Sequence, residues 1–200
     1  MTAPSIQRAS AYWAPWEHAL HVFLVRVHGD RALAARFADN DAGRCASALE
    51  AVTVHLPHTL ERRRATRAVT QAVRLYLIHQ GRTATSPHRP DGTSIGAACR
   101  DLSLLIAPEG TLVQRRGRTG FDAAVEAADT SELVARLSTL MPELHRRRIT
   151  LDHVRLAKDL LWWETPVGRR YTRNRWEEDF HDLGGGEGGG WGRERFPGAT

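Results

Sequence analysis

The residues best suited to chemistry lie between positions 151 and 180, where cations gather around a pair of tryptophans. A guanidinium donates several hydrogen bonds in one plane, which matches the oxygens of a phosphate, and an indole can stack on a base. This surface suits a nucleic-acid backbone better than a small substrate; a core or interface role for the tryptophans is the alternative. The residues are Arg155, Lys158, Arg169, Arg170, Arg173 and Arg175, with Trp162 and Trp163.

Charge is separated into blocks along the chain. The 200 residues carry a formal net charge of +5, and 27 of the 28 basic residues are arginine. Residues 59–89 and 145–175 each sum to +6, whereas residues 119–144 and 176–183 each sum to −4. Blocks of one sign produce a directional field that attracts a polyanion. Two solvated helix faces are the alternative, and GC-rich codons are a second explanation for the preference for arginine.

A second group of cations lies in the first turns of a long helix predicted over residues 59–80. Cations are disfavoured at a helix N-terminus by the helix dipole, and a phosphate partner would relieve this conflict. An exposed, solvated flank is the alternative. These residues are Arg62, Arg63, Arg64 and Arg67.

Enzyme motifs are absent from the sequence. It has no P-loop, no GxSxG and no HExxH, and the glycine run in residues 184–190 follows no predicted strand. The pairs His18/His21 and His55/His58 lack carboxylate or thiolate ligands at a suitable spacing, so we interpret them as surface or packing residues. We expect no catalytic residue, no metal and no cofactor.

The cysteines and the hydropathy pattern indicate the compartment. Cys45 and Cys99 are too few for a disulfide framework, and their alanine-rich settings predict buried, reduced thiols. No window of the sequence reaches 18 apolar residues, and the first 20 residues contain no apolar signal segment. We expect a cytoplasmic chain with neither a membrane partner nor a small-molecule substrate.

Helices are the elements that must position these cations, because apolar residues recur at helical spacing along most of the chain. No segment of five or more residues alternates convincingly between apolar and polar side chains, so no sheet is predicted. Asp30 and Asp129 stand where N-cap residues are expected, Thr150-Leu151-Asp152 opens the helix of the tryptophan pair, and Gly29 and Gly81 stand where helices should end. We predict an all-α fold of about eight helices, the last from about residue 171 to 182.

Two polar segments divide the predicted helices. Residues 82–92 and 108–120 have the composition of loops, and the arginines at 115, 116 and 118 fall in the second one, which could mould to a strand or be disordered. We predict two packed lobes that meet near these loops, an N-terminal lobe over 1–106 and a C-terminal lobe over 121–183. The glycine-rich residues 184–200 predict a disordered tail.

Several short motifs follow one another in a recognisable order. They are Ser94-Ile95-Gly96, Ala127-Ala128-Asp129, LVARLSTL at 133–140, LAKDLLWW at 156–163, Gly168-Arg169-Arg170 and WEEDF at 176–180, with a looser match from Gly29 to Arg36. In this order they resemble the CasB family, the small subunit of the type I-E CRISPR Cascade complex. The resemblance covers about 150 residues and no single motif decides it.

The resemblance implies a non-enzymatic, two-lobed helical protein in an antiviral ribonucleoprotein. Its expected partners are guide RNA, target DNA, other Cascade subunits and a second copy of itself. It would contact the guide–target hybrid and the displaced DNA strand, stabilising the R-loop without reading sequence. Arg36, Arg136, Lys158, Arg169 and Arg170 match basic positions of the family. Ala97 stands where relatives often carry arginine, and we expect Arg100 to compensate.

The two lines of reasoning give one set of candidate residues for nucleic-acid binding. They are Arg31, Arg36, Arg63, Arg64, Arg67, Arg100, Arg136, Arg155, Lys158, Arg169 and Arg170. Two other functions stay open. A free-standing helical DNA-binding regulator would need a recognition helix, for which residues 59–80 are the only candidate, and a metal-dependent enzyme would need a site built from histidines and carboxylates.

Overall fold

The described part of the protein is built from helices. The computed structural model describes residues 14–37, 45, 47–56, 61–105 and 111–182, with side chains from residue 117 onward in the last range. The predicted tail at 184–200 lies outside the described residues. Within them the helices are α1 (Pro15–Gly29), α2 (Arg31–Ala35), α3 (Glu50–Thr53), α4 (Arg62–Gln80), α5 (Ile95–Leu104), α6 (Thr111–Glu126), α7 (Thr130–Arg146), α8 (His153–Trp163) and α9 (Pro166–His181).

The described residues contain no sheet, which confirms the all-α prediction. Strand-like pairing among them is limited to one parallel bridge between His88 and Leu151, which ties the loop after α4 to the start of α8. None of the helices seen in these ranges combines the length and the apolar character that a membrane crossing requires.

The predicted N-cap residues begin their helices as expected. Asp30 and Asp129 each accept a hydrogen bond from the backbone N–H three residues on, at 2.9 and 2.8 Å. Asp152 accepts from two backbone N–H groups of α8, those of Val154 and Arg155. Each cap satisfies N–H groups that have no partner inside the helix, so the polar residue fixes where the helix starts.

The loop predicted over residues 108–120 is wrong for most of its length, because α6 runs through it from Thr111. Glycine in this segment suggested a break between helices, but Gly117 instead allows close packing of one helix on another. A Cβ at this position would lie 2.7 Å from the Ser103 nitrogen and 2.8 Å from the Cys99 oxygen, both in α5. Glycine therefore lets two helix backbones meet. The side chains of Arg115 and Arg116 lie outside the described residues.

The last helix is longer than predicted and begins at Pro166 rather than near residue 171. Its start carries two ordinary helix signals. Thr165 is the N-cap, and its Oγ1 accepts a hydrogen bond from the Gly168 N–H at 3.1 Å. Proline occupies the first turn, where its missing N–H has no cost. Charge in the following residues obscured this start in the sequence.

Packing joins helices from the two predicted lobes. α4 packs mainly on α7 and α8, α5 packs mainly on α6 and α9, and α8 packs on α9. These contacts cross the boundary predicted between residues 106 and 121, and the division into two packed lobes stays a prediction. One continuous apolar core results, and in it the fully buried rings of Trp163 and Trp176 stack with centroids 5.3 Å apart. Cys45 and Cys99 are buried free thiols, as predicted.

Candidate nucleic-acid interface

The junction between α8 and α9 forms a rigid corner at one end of α4. α8 ends at Trp163, Glu164 is its C-cap, and α9 begins two residues later. A Cβ on Gly168 would lie 2.3 Å from the carbonyl oxygen of Trp162, so only glycine lets the first turn of α9 lie against the end of α8. The side chains that leave this corner therefore start from a fixed backbone.

Glu164 connects this corner to the first turns of α4. Its carboxylate lies 3.4 Å from Nε of Arg67 and 3.7 Å from Nε of Arg64. The carboxylate is shielded, with its side chain 13% exposed, whereas the two arginine side chains are 45% and 57% exposed. Two arginines that lie 100 and 97 residues before Glu164 in the sequence are thus held at the end of α8.

Two arginines of α9 complete the basic surface at this corner. Arg169 donates from Nε to the carbonyl oxygen of Trp163 at 3.4 Å, and Arg170 is exposed. Among the described residues, Arg63 and Arg170 have no ion pair or side-chain hydrogen bond. We call this surface the junction patch. It consists of Arg63, Arg64, Arg67, Arg169 and Arg170.

The backbone adds to the positive potential of the junction patch. The first turns of α4 and α9 contain no acidic residue, so the positive ends of two helix dipoles add to the guanidinium charges. Glu61, which lies 2.8 Å from Arg64, and Glu164 are the carboxylates that ion-pair with the patch among the described residues. The net excess of cations favours a phosphate backbone over a neutral ligand.

Lys158, a candidate from the sequence, is engaged by α1. Its Nζ lies 3.1 Å from Oε1 of Glu17, whose side chain is 7% exposed, while the Lys158 side chain is 40% exposed. The pair ties α1 to α8 and neutralises a carboxylate that is removed from water. Lys158 therefore has a structural partner, although its exposed part can still meet another anion.

Arg155 and Arg100 act inside the protein. Arg155 is 9% exposed, and its guanidinium donates to the carbonyl oxygen of Gly92 and, at 2.7 Å, to the carboxylate of Asp179. Arg100 donates from Nη1 to the carbonyl oxygens of Asp179 and Asp182, at 3.0 and 2.7 Å. Arg100 thus satisfies carbonyl groups at the C-terminal end of α9, which lack helical partners, and Arg155 pairs with a side-chain carboxylate of the same end. Their geometry thus favours an internal role over a contact with nucleic acid.

The remaining candidates are exposed but are not joined to the junction patch by any described contact. Arg31 and Arg36 lie at the two ends of α2, which packs mainly on α1. Arg136 lies on α7 and pairs with Glu132 at 2.6 Å, one helical turn earlier. The contacts therefore bring Arg64, Arg67 and Arg169 to the corner at Glu164 and Trp163, with Arg63 and Arg170 as their neighbours on the same two helices, whereas none is seen between that corner and these three candidates.

Two neighbours of the junction patch were not singled out from the sequence. Glu164 was not among the candidates, because its pairing with Arg64 and Arg67 of α4 depends on the fold. Tyr171 follows Arg170, and its ring lies 5.3 Å from that of Trp162, both being partly exposed. Arg175 lies over the Tyr171 ring, at 5.4 Å. The position of a tyrosine directly after two arginines was the feature of the sequence that could have identified Tyr171.

A separate chain of histidines runs through the core. His21 Nδ1 lies 3.0 Å from His88 Nε2, and His79 Nδ1 lies 3.3 Å from His153 Nε2. The backbone N–H of His153 donates to His88 Nδ1 and links the two pairs. Burial lowers the pKa of His79 and of His88 to about 4, and holds the pKa of His153 well below its usual value. In the part of the chain that the structure describes, no group of three or more ligands could hold a metal.

The described fold and the junction patch together define a class of protein. It is an all-α protein with exposed arginines at the junction of two helices. A family model described as CRISPR-associated protein Cse2 matches residues 30–181. The chain therefore belongs to the Cse2 family. This membership confirms the resemblance to the CasB small subunit and implies a subunit of the type I-E Cascade complex.

A solved structure has the same fold. The crystal structure of CasB from Thermobifida fusca superposes with a TM-score of 0.67, at 24% sequence identity, over 84% of this chain and 99% of that chain. At this level of identity the likeness supports the helical architecture alone. No curated protein matches the sequence.

Proposed function

We propose that this protein is a non-catalytic nucleic-acid clamp within Cascade. Its junction patch would hold the backbones of the guide RNA–target DNA hybrid and of the displaced DNA strand during antiviral defence, without reading base sequence. The observation that carries the proposal is the convergence of Arg64, Arg67 and Arg169 on the corner formed by Glu164 and Trp163. Convergent guanidiniums can contact successive phosphates of one strand.

The clamp would act by binding the strand-separated state of the DNA in preference to the duplex. Strand separation leaves a single strand that can re-anneal with its complement. A surface that binds this strand more tightly than it binds the duplex lowers the free energy of the open state by the difference in binding free energy. Because the guide pairs with the target strand, the protein needs contacts to the backbone only.

The expected partners follow from this role and from membership of the Cse2 family. They are guide RNA, target DNA, other Cascade subunits and a second copy of this chain. The clamp would work in the cytoplasm, where the complex meets invading DNA. A free-standing regulator is less well supported, because α4 packs on α7 and α8 and exposes little beyond its first two turns.

The proposal predicts the salt dependence of binding. If the five cations of the junction patch each meet a phosphate of a single strand, the logarithm of the affinity should fall against the logarithm of salt concentration with a slope of about −3.5. Removing Arg67 and Arg170 should reduce that slope by about 1.4.

Fluorescence anisotropy with a labelled 30-nucleotide oligo(dT) tests this prediction. The double variant Arg67→Ala/Arg170→Ala is compared with Arg26→Ala/Arg82→Ala, which removes the same charge from exposed positions outside the patch. We expect the first variant to lose affinity and slope while the second keeps both nearly unchanged. Equal losses in the two variants would mean that net charge, rather than the junction patch, binds the strand.

A further inference from the structure

Glu164 is an acid at the centre of a basic surface, and its surroundings are unusual for an exposed ion pair. Its backbone is fixed between the end of α8 and the N-cap of α9. Its carboxylate reaches two arginines one helical turn apart on α4, at 3.4 and 3.7 Å. In both contacts the paired guanidinium nitrogen is Nε, which leaves the terminal nitrogens of each fork for another acceptor.

We propose that Glu164 is a positioning residue, which holds Arg64 and Arg67 side by side so that both forks can meet one phosphate backbone. This role rests on the proposed nucleic-acid function. Two guanidiniums on one helical turn repel each other, and each has a long flexible side chain. A shared anion reduces the repulsion and restricts both side chains before the strand arrives, which lowers the entropic cost of binding.

The burial of Glu164 argues against a carboxylate that merely competes with phosphate for the arginines. At 13% exposure, the carboxylate would be left without its counterions in a mostly desolvated place if the arginines moved away. It is therefore more favourable for the phosphate to join the two arginines on their outer side. Glu61, whose side chain is 56% exposed at 2.8 Å from Arg64, has no such restriction.

The proposal makes a prediction opposite to that of simple electrostatics. Removing a negative charge from a basic surface should raise its affinity for DNA. Removing a positioning carboxylate should lower it. Glu164→Gln removes the charge, Glu164→Asp keeps the charge but shortens the reach, and Glu61→Gln removes a nearby exposed charge as the matched control.

The experiment measures binding of the full-length chain to labelled 30-nucleotide oligo(dT), with folding checked by circular dichroism. We expect Glu164→Gln and Glu164→Asp each to weaken binding about fivefold and Glu61→Gln to strengthen it slightly. The same substitutions are then made in an Arg64→Ala/Arg67→Ala background, where we expect Glu164→Gln to have no effect on affinity. Because Glu164→Asp retains the buried charge, it remains informative if Glu164→Gln folds poorly.

Two results would overturn the positioning role. One is tighter binding by Glu164→Gln together with unchanged binding by Glu164→Asp. The other is a loss of affinity by Glu164→Gln that persists when both arginines are absent. If Arg64→Ala/Arg67→Ala itself leaves affinity unchanged, the proposed function of the junction patch fails, and the role of Glu164 fails with it.

Discussion

Arg155 and Asp179 form an ion pair over 2.7 Å between two packed helices, α8 and α9. The same guanidinium donates to the carbonyl oxygen of Gly92 in the loop before α5. One side chain thus joins three parts of the chain. Arg155 belongs to the most basic stretch of the sequence, yet its contacts indicate that it stabilises the fold.

Replacing Arg155 should therefore affect stability and spare nucleic-acid affinity. Arg155→Ala leaves the Asp179 carboxylate and the Gly92 carbonyl without their donor, and we expect a loss of about 2–3 kcal/mol in the free energy of unfolding. Urea denaturation followed by circular dichroism measures it. Arg170→Ala, an exposed control, should change stability by less than about 0.5 kcal/mol but weaken DNA binding. The reverse pattern would assign Arg155 to the interface.

Lys158 should contribute mainly to the stability of the fold. Lys158→Ala removes a cationic partner of the shielded Glu17 carboxylate, and we expect it to lower the free energy of unfolding by about 1–3 kcal/mol. Adding Glu17→Gln should recover part of this loss, because the shielded charge that lost its lysine disappears. A double-mutant cycle of thermal unfolding measures the coupling. If the two changes are additive, the ion pair makes no net contribution.

Gly96 should be intolerant of any side chain. A Cβ at this position would lie 2.0 Å from the backbone oxygen of Trp176, so Gly96→Ala forces α5 and α9 apart. We expect a loss of about 3 kcal/mol or more in the free energy of unfolding. Gly29→Ala is the matched control, because nothing lies within 4 Å of the added atom. Equal stability of the two variants would contradict the close packing of α5 on α9.

The histidine chain predicts a loss of stability in acid. The pKa of His79 and of His88 is lowered to about 4 in the folded protein, so between pH 6.5 and 4 the unfolded chain binds more protons than the folded one. Stability should therefore fall as pH falls through this window, by about 1.4 kcal/mol per pH unit for each histidine. Nearby charges act on the same groups, because His145 opposes a charge on His79 while Asp91 favours one on His88.

Thermal unfolding at pH 7, 6, 5 and 4.5 measures this dependence. His79→Gln should reduce the slope of Tm against pH, since one of the titrating groups is gone and an amide can still donate to the Ile149 carbonyl. The control is His55→Gln, at an exposed position, which should follow the wild-type profile. A wild-type Tm that is constant from pH 7 to 4.5 would contradict the prediction.

Local signals in the sequence predicted the helical class and several helix starts. Asp30, Asp129 and Asp152 act within three residues of themselves, so their role needs no knowledge of the rest of the fold. The exclusion of a sheet rested likewise on local periodicity. Gly117 misled the prediction because its function is contact with α5, a helix that comes earlier in the chain.

The candidate site could be predicted only as a set of charges. Net charge identifies Arg64, Arg67 and Arg155 equally, since it does not reveal what each guanidinium meets after folding. Two of these are exposed and meet Glu164, whereas the shielded Arg155 meets Asp179 between the packed helices α8 and α9. These partners are from 24 to 100 residues away in the sequence. Pairing over such separations follows from helix packing, which no local pattern encodes.

The lifetime of the open DNA complex tests the clamp most directly. Cascade assembled with Arg64→Ala/Arg67→Ala/Arg170→Ala is compared with Cascade carrying Arg26→Ala/Arg82→Ala/Arg89→Ala, three exposed arginines that are not candidates for binding, and the displaced strand is followed by permanganate reactivity after a competitor is added. We expect the junction-patch variant to assemble normally and to shorten the lifetime about tenfold, equivalent to about 1.4 kcal/mol, while the control changes it little. An unchanged lifetime in the junction-patch variant would contradict the proposal that these arginines hold the separated strands.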